Sequence, residues 1–443
     1  MTKIKKIIST LSLGLVFLLG LASIGNAETT VSAEVGFVFN TLFFLICGFL
    51  VMFMAAGFTM LEAGLVQKKD VSEIVTKNLG LYSIACIMYL VCGFVLMYPA
   101  GAIIDGILPA FGTSVGLSTA LPLDEIGMAY GMDYSQQADF FFQVVFVATA
   151  MSIVSGAVAG RMKLLPFFAF AVVLTAVIYP IQGYWNWGGG WLSSGGYSDY
   201  AGSGTVHLCG AAAALAVVLV LGPRKGKYTA NGISVPMPGS NIPMAALGVW
   251  ILWLGWFGFN GGSELIISNE ASAIAVSQVF LNTNMAASGG VVAALILSLI
   301  KTGKMDVTMA MNGAIAGLVA ITAGPSAPSA GAAVLIGMAG GALVYFSILF
   351  FDRTLKLDDP VGAISAHGIV GILGVMVVPL TNADASFMWQ LIGVIAIAGF
   401  TFIASLVTII VINRVSPIRA TDEEQDIGLD ISEIGVEAYP EFK

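Results

Sequence analysis

Charged side chains are scarce in this sequence. They make up 10% of its 443 residues, whereas hydrophobic residues make up 58%; an ordinary soluble domain has about 25% charged residues. So few charges exclude a soluble enzyme. The net charge of -8 gives no indication of a nucleic-acid partner. The composition therefore predicts a protein that lies mainly in a lipid bilayer.

Cysteine and histidine are scarce as well. The four cysteines lie in apolar stretches without the paired spacing of a zinc site or a loop disulfide, so we interpret them as small buried residues. The only two histidines, His207 and His367, have no clustered carboxylate or thiolate and fall short of the usual ligand count of zinc. A membrane metalloprotease would need two histidines close together on one helix. We expect no metal, no cofactor and no enzymatic activity.

The N-terminal segment has the pattern of a signal peptide. Three lysines precede an apolar run at 7–24, and small residues at 25 and 27 suit a cleavage site. We predict that residues 1–27 are removed. An uncleaved extra helix is the alternative, because the run is about as long as a membrane span.

Eleven further apolar segments lie between residues 28 and 413. Each is long enough to cross a hydrocarbon core of about 30 Å, which takes about 20 residues. Their approximate limits are 36–66, 79–104, 138–160, 164–184, 200–222, 243–262, 275–300, 307–323, 330–351, 361–383 and 387–413. The runs lack the period-two alternation of a membrane barrel. The prediction is an all-α membrane protein of eleven transmembrane helices, followed by a cytoplasmic tail at 414–443.

Basic residues predict the orientation. The sequence has 18 Lys and Arg, and the fifteen that follow the first six residues all fall after odd-numbered spans. They are Lys68, Lys69, Lys77, Arg161, Lys163, Arg224, Lys225, Lys227, Lys301, Lys304, Arg353, Lys356, Arg414, Arg419 and Lys443. Because basic loops stay on the cytoplasmic side, we expect a multi-pass protein of the inner (cytoplasmic) membrane with its N-terminus outside and its C-terminus in the cytoplasm.

A nine-residue motif occurs twice, at 199–207 and 359–367. Both copies read D-x-x-G-x-x-[S/T]-x-H, and they place the two histidines on spans 5 and 10. Each repeat then contains five helices, at about 36–222 and 243–383. An odd number inverts the second copy relative to the first, as in many transporters. Helix 11, at 387–413, is peripheral to this pseudo-symmetry.

The inversion predicts that the two histidines meet. Each lies eight residues, or about 12 Å, from its aspartate, and the two aspartates start at opposite faces of the membrane. An ionisable residue inside a membrane is a functional candidate by default. The alternative is two structural histidines, each bonded to a backbone carbonyl. Nearby, Trp185, Trp187 and Trp191 are either interface anchors or, if a ring faces a pore, ligands of a cation.

Several segments occur in the order found in one known family: F-Q-V-V-F at 142–146, W-G-G-G at 187–190, the two motifs with histidine, and G-W-F-G-F-N at 255–260. From about residue 35 to residue 440 the chain resembles the ammonium transporter family, the superfamily of Amt, methylammonium permease and Rhesus proteins, in its bacterial or archaeal form. The family's trimeric fold of eleven helices agrees with the span count.

The resemblance implies an outer ammonium-recruiting site formed by Phe146, Trp187 and Ser263. The aromatic rings would supply cation-π contacts and the hydroxyl an acceptor. Phe146 and Phe259 would be the two stacked rings that close the pore. The substrate would be ammonium or ammonia, with methylammonium as a further candidate.

The resemblance also implies that His207 and His367 are twin histidines bonded through their ring nitrogens along the pore. Asp199 would support recruitment and deprotonation, and as a residue at a helix start it also suits a structural cap. Ammonium would lose its proton, ammonia would pass, and proton or ammonium charge would be transferred overall.

For partners, the resemblance implies a homotrimer and a cytoplasmic PII-type regulatory protein that binds the tail. Ile434 replaces a histidine that is common in the family, which weakens the expectation of PII binding. The alternatives are an ammonium sensor on the same fold, for which we find no kinase or cyclase segment, and a Rhesus-like channel for a neutral gas. Glu62, near the end of span 1, has no role in this interpretation.

Overall fold

The computed structural model describes residues 32–117 and 133–441, so the predicted signal peptide at 1–27 lies outside the described residues. Within these ranges nine helices are long and apolar enough to cross a membrane, and two shorter apolar helices accompany them. In chain order they are α1 (Ala33–Leu65), α2 (Lys68–Met97), α3 (Gln136–Val158), α4 (Leu164–Gly195), α5 (Ser203–Leu221), α6 (Ile242–Gly262), α7 (Glu270–Thr302), α8 (Val307–Ile321, short), α9 (Ala330–Leu355), α10 (Ile364–Leu380, short) and α11 (Phe387–Val415).

Short polar residues mark where many of these helices begin. A side-chain oxygen at the position before the helix accepts a backbone N–H of the first turn, which satisfies a donor that the helix itself cannot pair. The capping residues are Ser32, Ser135, Asn241, Asn269, Asp306 and Ser329. Inside lipid such pairing matters more than in water, because an unsatisfied backbone group costs several kcal/mol there.

Burial separates central from peripheral helices. In the most apolar part of α3, 94% of the residues are buried, whereas in α11 only 22% are. Helices α1 and α6 pack through small residues: a Cβ on Gly248 would lie 2.4 Å from the backbone nitrogen of Leu61, and one on Gly64 would lie 2.5 Å from that of Ala245. Glycine therefore allows the close backbone approach that packing in membranes relies on.

The second helix differs from the prediction. Span 2 was expected at 79–104, but α2 begins at Lys68 and ends at Met97, and an antiparallel pair of short strands follows, β1 (Ala102–Ile104) and β2 (Leu108–Pro109). Lys77, expected in a loop, lies inside α2 and is 1% exposed. Its Nζ is 3.6 Å from Glu73 Oε1, one helical turn earlier. This pairing lets both charges lie inside the helix bundle.

The tail packs against the ends of several helices instead of extending into solvent. It contains α12 (Asp422–Ile427), which starts with a capping box at Thr421. Lys163 Nζ lies 2.8 Å from Glu424 Oε1, and its hydrogen bond holds the pKa of that carboxyl below its usual value. On α2, the Glu73 N–H donates to Asp430 at 2.9 Å. Acidic residues of the tail thus make specific contacts with the helix bundle. We call the face of the bundle that carries Glu73 and Lys163 the tail face.

A buried charge cluster near the tail face joins the three connections that follow α3, α5 and α9. Arg224 binds both carboxylate oxygens of Asp358 at 2.8 Å, and the Arg161 guanidinium donates to the Asp358 backbone oxygen at 2.6 Å. Burial alone would raise the pKa of Asp358, but the charges of the two arginines and the hydrogen bonds from Arg224 hold it well below its usual range. Burial also lowers the pKa of Arg161 to about 10.

Replacing Asp358 with alanine should destabilise the protein strongly. Removing one partner of a buried ion pair costs about 3–5 kcal/mol, because the other charges stay buried without compensation. The depressed pKa adds a pH dependence: the stabilisation is present above about pH 4, the unfolded value, and is lost as the pH falls through the folded value. Thermal unfolding in detergent at several pH values measures both effects. Asp426→Ala, which removes the exposed partner of Lys225, is the control and should melt close to wild type.

Candidate functional site

A cavity of about 300 Å³ opens where α3, α4 and α6 come together. Phe146, Trp187 and Ser263 all line it, although they lie far apart in the sequence. Tyrosines 98, 134 and 200 and the polar side chains of Asp139 and Gln143 also border this cavity. We call it the Trp187 cavity. It combines aromatic faces with oxygen acceptors.

Trp187 lies directly after the helical segment Tyr179–Asn186 of α4. Its indole N–H donates to the Asp199 backbone oxygen at 3.0 Å, which fixes the ring. The ring meets Phe146 edge to face, with centroids 5.9 Å apart. Ser263 Oγ donates to the Phe259 carbonyl at 2.9 Å, so its lone pairs remain available as acceptors. The indole of Trp187 therefore lines the cavity, as a cation ligand would have to.

Phe146, which lines this cavity, packs against a second buried phenylalanine, Phe259. Phe146 and Phe259 stack with centroids 4.0 Å apart and an angle of 23° between their planes. Their residues are 1% and 0% exposed. A hydrated ion could pass only if these rings moved.

The two histidines follow directly behind this pair of rings. The His207 ring lies 5.4 Å from Phe259, and its Nδ1 is 3.2 Å from Nδ1 of His367. Because a hydrogen bond needs one donor and one acceptor, the two rings carry different tautomers when both are neutral. Within the described part of the chain, His207 Nε2 has no hydrogen-bond partner. The protein therefore leaves the hydrogen-bonding capacity of this nitrogen unused in the described residues.

The two copies of the sequence motif have the same local structure. Gly202 and Gly362 both have positive φ, 105° and 79°, and each is followed by a turn of π-helix that carries the histidine. Such conformations favour glycine. Asp359 accepts from the N–H groups of Gly362 and Ile364 at 3.1 and 2.7 Å.

Asp199 plays the corresponding part in the first copy. Its carboxylate accepts five hydrogen bonds, from the N–H groups of Gly202, Gly204 and Thr205 and from the hydroxyls of Thr205 and Tyr197. All five donors are local, and Asp199 is not among the residues that line the Trp187 cavity. The carboxylate therefore supports the turn that carries His207.

Trp256 belongs to the site but was not predicted. Its ring stacks on His207 with centroids 5.0 Å apart, and its Nε1 donates to Thr322 Oγ1 at 2.8 Å. The available signal was its spacing: it precedes Phe259 by three residues, which places both on one face of α6. In residues 32–117 and 133–441 no three His, Cys, Asp or Glu side chains are grouped to hold a metal. The site instead offers aromatic faces, acceptor oxygens and paired imidazoles.

Asp199→Asn should disturb this site more than its small change in shape suggests. An amide has one acceptor oxygen, so its NH₂ group would face N–H donors that now bind the carboxylate. Losing two or more buried hydrogen bonds to a charged group costs about 1.5–3 kcal/mol each. We expect a lower melting temperature in detergent. Asp384→Asn, in an exposed connection, is the control. A melting temperature equal to wild type for Asp199→Asn would contradict the capping role.

The sequence is similar to those of known proteins over most of its length. The model of the Ammonium Transporter Family matches residues 42–439. "Ammonium transporter Amt2" of Archaeoglobus fulgidus is 40% identical over 429 residues, covering 90% of this chain and 87% of the relative. "Ammonium transporter" of Bacillus subtilis is 32% identical, covering 90% and 98%.

Solved structures agree with this match. A protein described as "Sensor Amt Protein" superposes with a TM-score of 0.83 at 33% identity and covers 90% of this chain and 99% of its own. Mep2 of Candida albicans superposes with a TM-score of 0.78 over 94% of this chain and 93% of its own. At 24% identity the latter shows the fold alone.

Proposed function

The chain belongs to the ammonium transporter family, and from this premise we propose that it recruits ammonium at the Trp187 cavity, deprotonates it and passes ammonia between His207 and His367. The described residues form a mostly helical, multi-pass membrane protein. The observation that carries the proposal is the continuous series of contacts from Trp187 through Phe146 and Phe259 to the histidine pair.

We propose eleven membrane crossings, since the short helices α8 and α10 add to the nine longer ones. In this arrangement α1–α5 and α6–α10 are inverted repeats and α11 is peripheral. Support comes from reciprocal contacts: the π-turn of His207 packs on α10, and the π-turn of His367 packs on α5. Accessibility of engineered cysteines from either side tests the proposed orientation, with the N-terminus outside and the tail in the cytoplasm of the inner membrane.

Recruitment at the Trp187 cavity favours a cation. A cation near a desolvated aromatic face gains about 2 kcal/mol or more, and the lone pairs of Ser263 accept an N–H from ammonium. Stripping all water from an ion costs far more than this. The cavity can therefore concentrate ammonium, but it cannot carry the intact ion through the closed rings of Phe146 and Phe259.

Deprotonation avoids the full dehydration cost, because ammonia is small and neutral. Potassium has no neutral form and so is excluded. Between the rings ammonia meets His207 Nε2, which has no other partner among the described residues. If the proton follows by the histidine pair, transport is electrogenic and each charge moved is worth about 2.3 kcal/mol per 100 mV. A Rhesus-like channel for neutral gas would move no charge.

A sensor is the second candidate, because the "Sensor Amt Protein" covers so much of this chain. Sustained ammonium current in liposomes that contain only this protein would favour a transporter. We further propose a homotrimer, which native mass spectrometry tests, and a PII-type partner at the tail, which a binding assay with the purified proteins tests. The ordered contacts of the tail with α2 and Lys163 support a docking platform.

His207→Ala and His367→Ala should each lower the ammonium current at least tenfold or permit potassium current, because either change breaks the imidazole pair. Currents of proteoliposomes on a solid-supported membrane, with ammonium, methylammonium and potassium pulses, measure this. Cys92→Ala, outside the series of contacts, is the control and should keep wild-type currents. Wild-type current and selectivity in both histidine variants would refute the role of the pair.

Trp187→Leu should weaken apparent ammonium affinity while the pore stays intact. A loss of about 2 kcal/mol corresponds to roughly a 30-fold higher half-saturating concentration. Ser263→Ala should have a smaller effect in the same direction, since it removes one acceptor. The same current recordings over a range of ammonium concentrations give both values. Half-saturation of Trp187→Leu at the wild-type concentration would count against a cation site.

A further inference from the structure

Glu62 is a buried carboxylate that the proposed function does not use. It lies one turn before the end of α1 and is 1% exposed. Its Oε2 accepts from Ser155 Oγ at 2.7 Å and from Asn78 Nδ2 at 3.2 Å, which anchors the side chain. Its Oε1 has no hydrogen-bond partner among the described residues. A buried carboxylate oxygen left unpaired is costly, so this atom indicates a ligand.

Glu62 lines a second, much smaller cavity, which also borders His367. We call it the His367 cavity. Its volume is about 10 Å³, which admits about one water-sized molecule. Ser152 lines it as well and follows Phe146 on α3 by six residues, or about 9 Å. The His367 cavity therefore lies further along α3 than the Trp187 cavity, towards the tail face.

The polar atoms of this cavity are acceptors. Asn312 is 8% exposed, and its Nδ2 donates to the Thr308 backbone oxygen at 3.1 Å, which leaves Oδ1 without a partner in the described ranges. Ser152 Oγ donates its proton to the Ala148 carbonyl at 3.0 Å, so it too can accept. Three oxygens, those of Glu62, Asn312 and Ser152, thus border a space for one small molecule.

The nearest lysine does not neutralise Glu62 directly. Lys77 Nζ donates to the Ser155 backbone oxygen at 3.2 Å and lies 3.6 Å from Glu73 Oε1. It thus forms its ion pair with Glu73. Glu62, which borders the cavity, keeps one carboxylate oxygen without a hydrogen bond among the described residues and has no direct ion pair there.

We propose that Glu62, Asn312 and Ser152 form an inner binding site for ammonium, on the far side of the histidine pair from Trp187. Ammonium carries four N–H donors and no acceptor, which matches three acceptor oxygens. Its charge also makes the hydrogen bond to a carboxylate stronger than a bond from water. A potassium ion has no N–H donors and would need a fuller ring of oxygens in place of its hydration shell than the three that these side chains supply.

This proposal rests on the proposed function and extends it. In this extension the histidine pair takes up the proton that ammonium gives up and passes it on. Ammonia that leaves the histidines takes this proton back by forming one N–H bond, and the resulting ammonium is held by the carboxylate before release. In the proposed site Glu62 binds ammonium as a carboxylate and is not the group that returns the proton. The pore then has a cation site at each end and a neutral passage between them.

Infrared difference spectra of the protein in lipid bilayers test the site, with ammonium chloride exchanged against potassium chloride. In wild type, ammonium should shift carboxylate stretching bands. Glu62→Gln should lose this shift and lower the ammonium current severalfold, because it keeps the shape but removes the charge. Asn312→Leu, which removes one acceptor without touching the contacts of Glu62, should weaken the shift and serves if Glu62→Gln does not fold. Glu73→Gln removes a buried carboxylate outside the cavity and should keep the shift.

An ammonium shift that persists unchanged in Glu62→Gln would overturn the inner site, as would an equal shift when sodium replaces potassium. The experiments distinguish these outcomes from a failure of the proposed function. That failure would appear as absence of ammonium current in wild type, or as wild-type current in the histidine variants.

Discussion

The hydrogen bond between the Nδ1 atoms of His207 and His367 is the contact on which the rest of the site depends. Two imidazoles inside an apolar bundle need polar partners, and here each supplies the partner of the other at 3.2 Å. The rings can meet only if their backbone segments cross closely. The positive φ of Gly202 and Gly362 and the π-turns that follow them provide this approach. The two aspartates that start these turns then hold them in place.

The chemistry of the path changes with its surroundings. Acceptor oxygens lie at the Trp187 cavity and at the His367 cavity, where a cation can keep some of its hydrogen bonds. Between them, the stacked rings of Phe146 and Phe259 offer no acceptor oxygen. A charged species is therefore favoured at the two ends and disfavoured in the middle. This distribution is the reason why we propose that ammonium loses its proton at the first boundary.

The pairing of the histidines could be predicted because the motif repeats at a distance of five apolar spans. The odd number of spans between the two copies predicts an inversion, and helix geometry predicts a similar depth for both histidines. Trp256 and Asn312 could not be found this way. Neither belongs to the repeated motif. The spacing of Trp256 relates it only to Phe259, and the sequence of the short helix α8 does not show which of its faces meets the histidines. Only the packing of α6 and α8 around the histidines decides that.

The start of α2 and the packing of the tail also differ from what hydropathy and composition indicate, and both differences have electrostatic causes. The charged start of α2 looks like a loop because hydropathy treats each lysine alone, whereas Lys77 is buried with Glu73. By composition alone the acidic tail would be assigned to solvent, because composition counts its acidic residues without their partners. In the structure one of them, Glu424, pairs with Lys163 of the α3–α4 connection. Composition records how many charges there are, but not which ones meet.

Asp199, Asp358 and Glu62 are buried carboxylates that differ in how completely hydrogen bonds satisfy their oxygens. The carboxylate of Asp199 accepts five hydrogen bonds, and both carboxylate oxygens of Asp358 accept from Arg224. Glu62 is equally buried, but only one of its two oxygens is bonded within the described residues. A carboxylate with all its acceptor positions filled has none left for a ligand. The unfilled position on Glu62 borders a space of one molecule beside His367, where a product of the histidine pair would arrive.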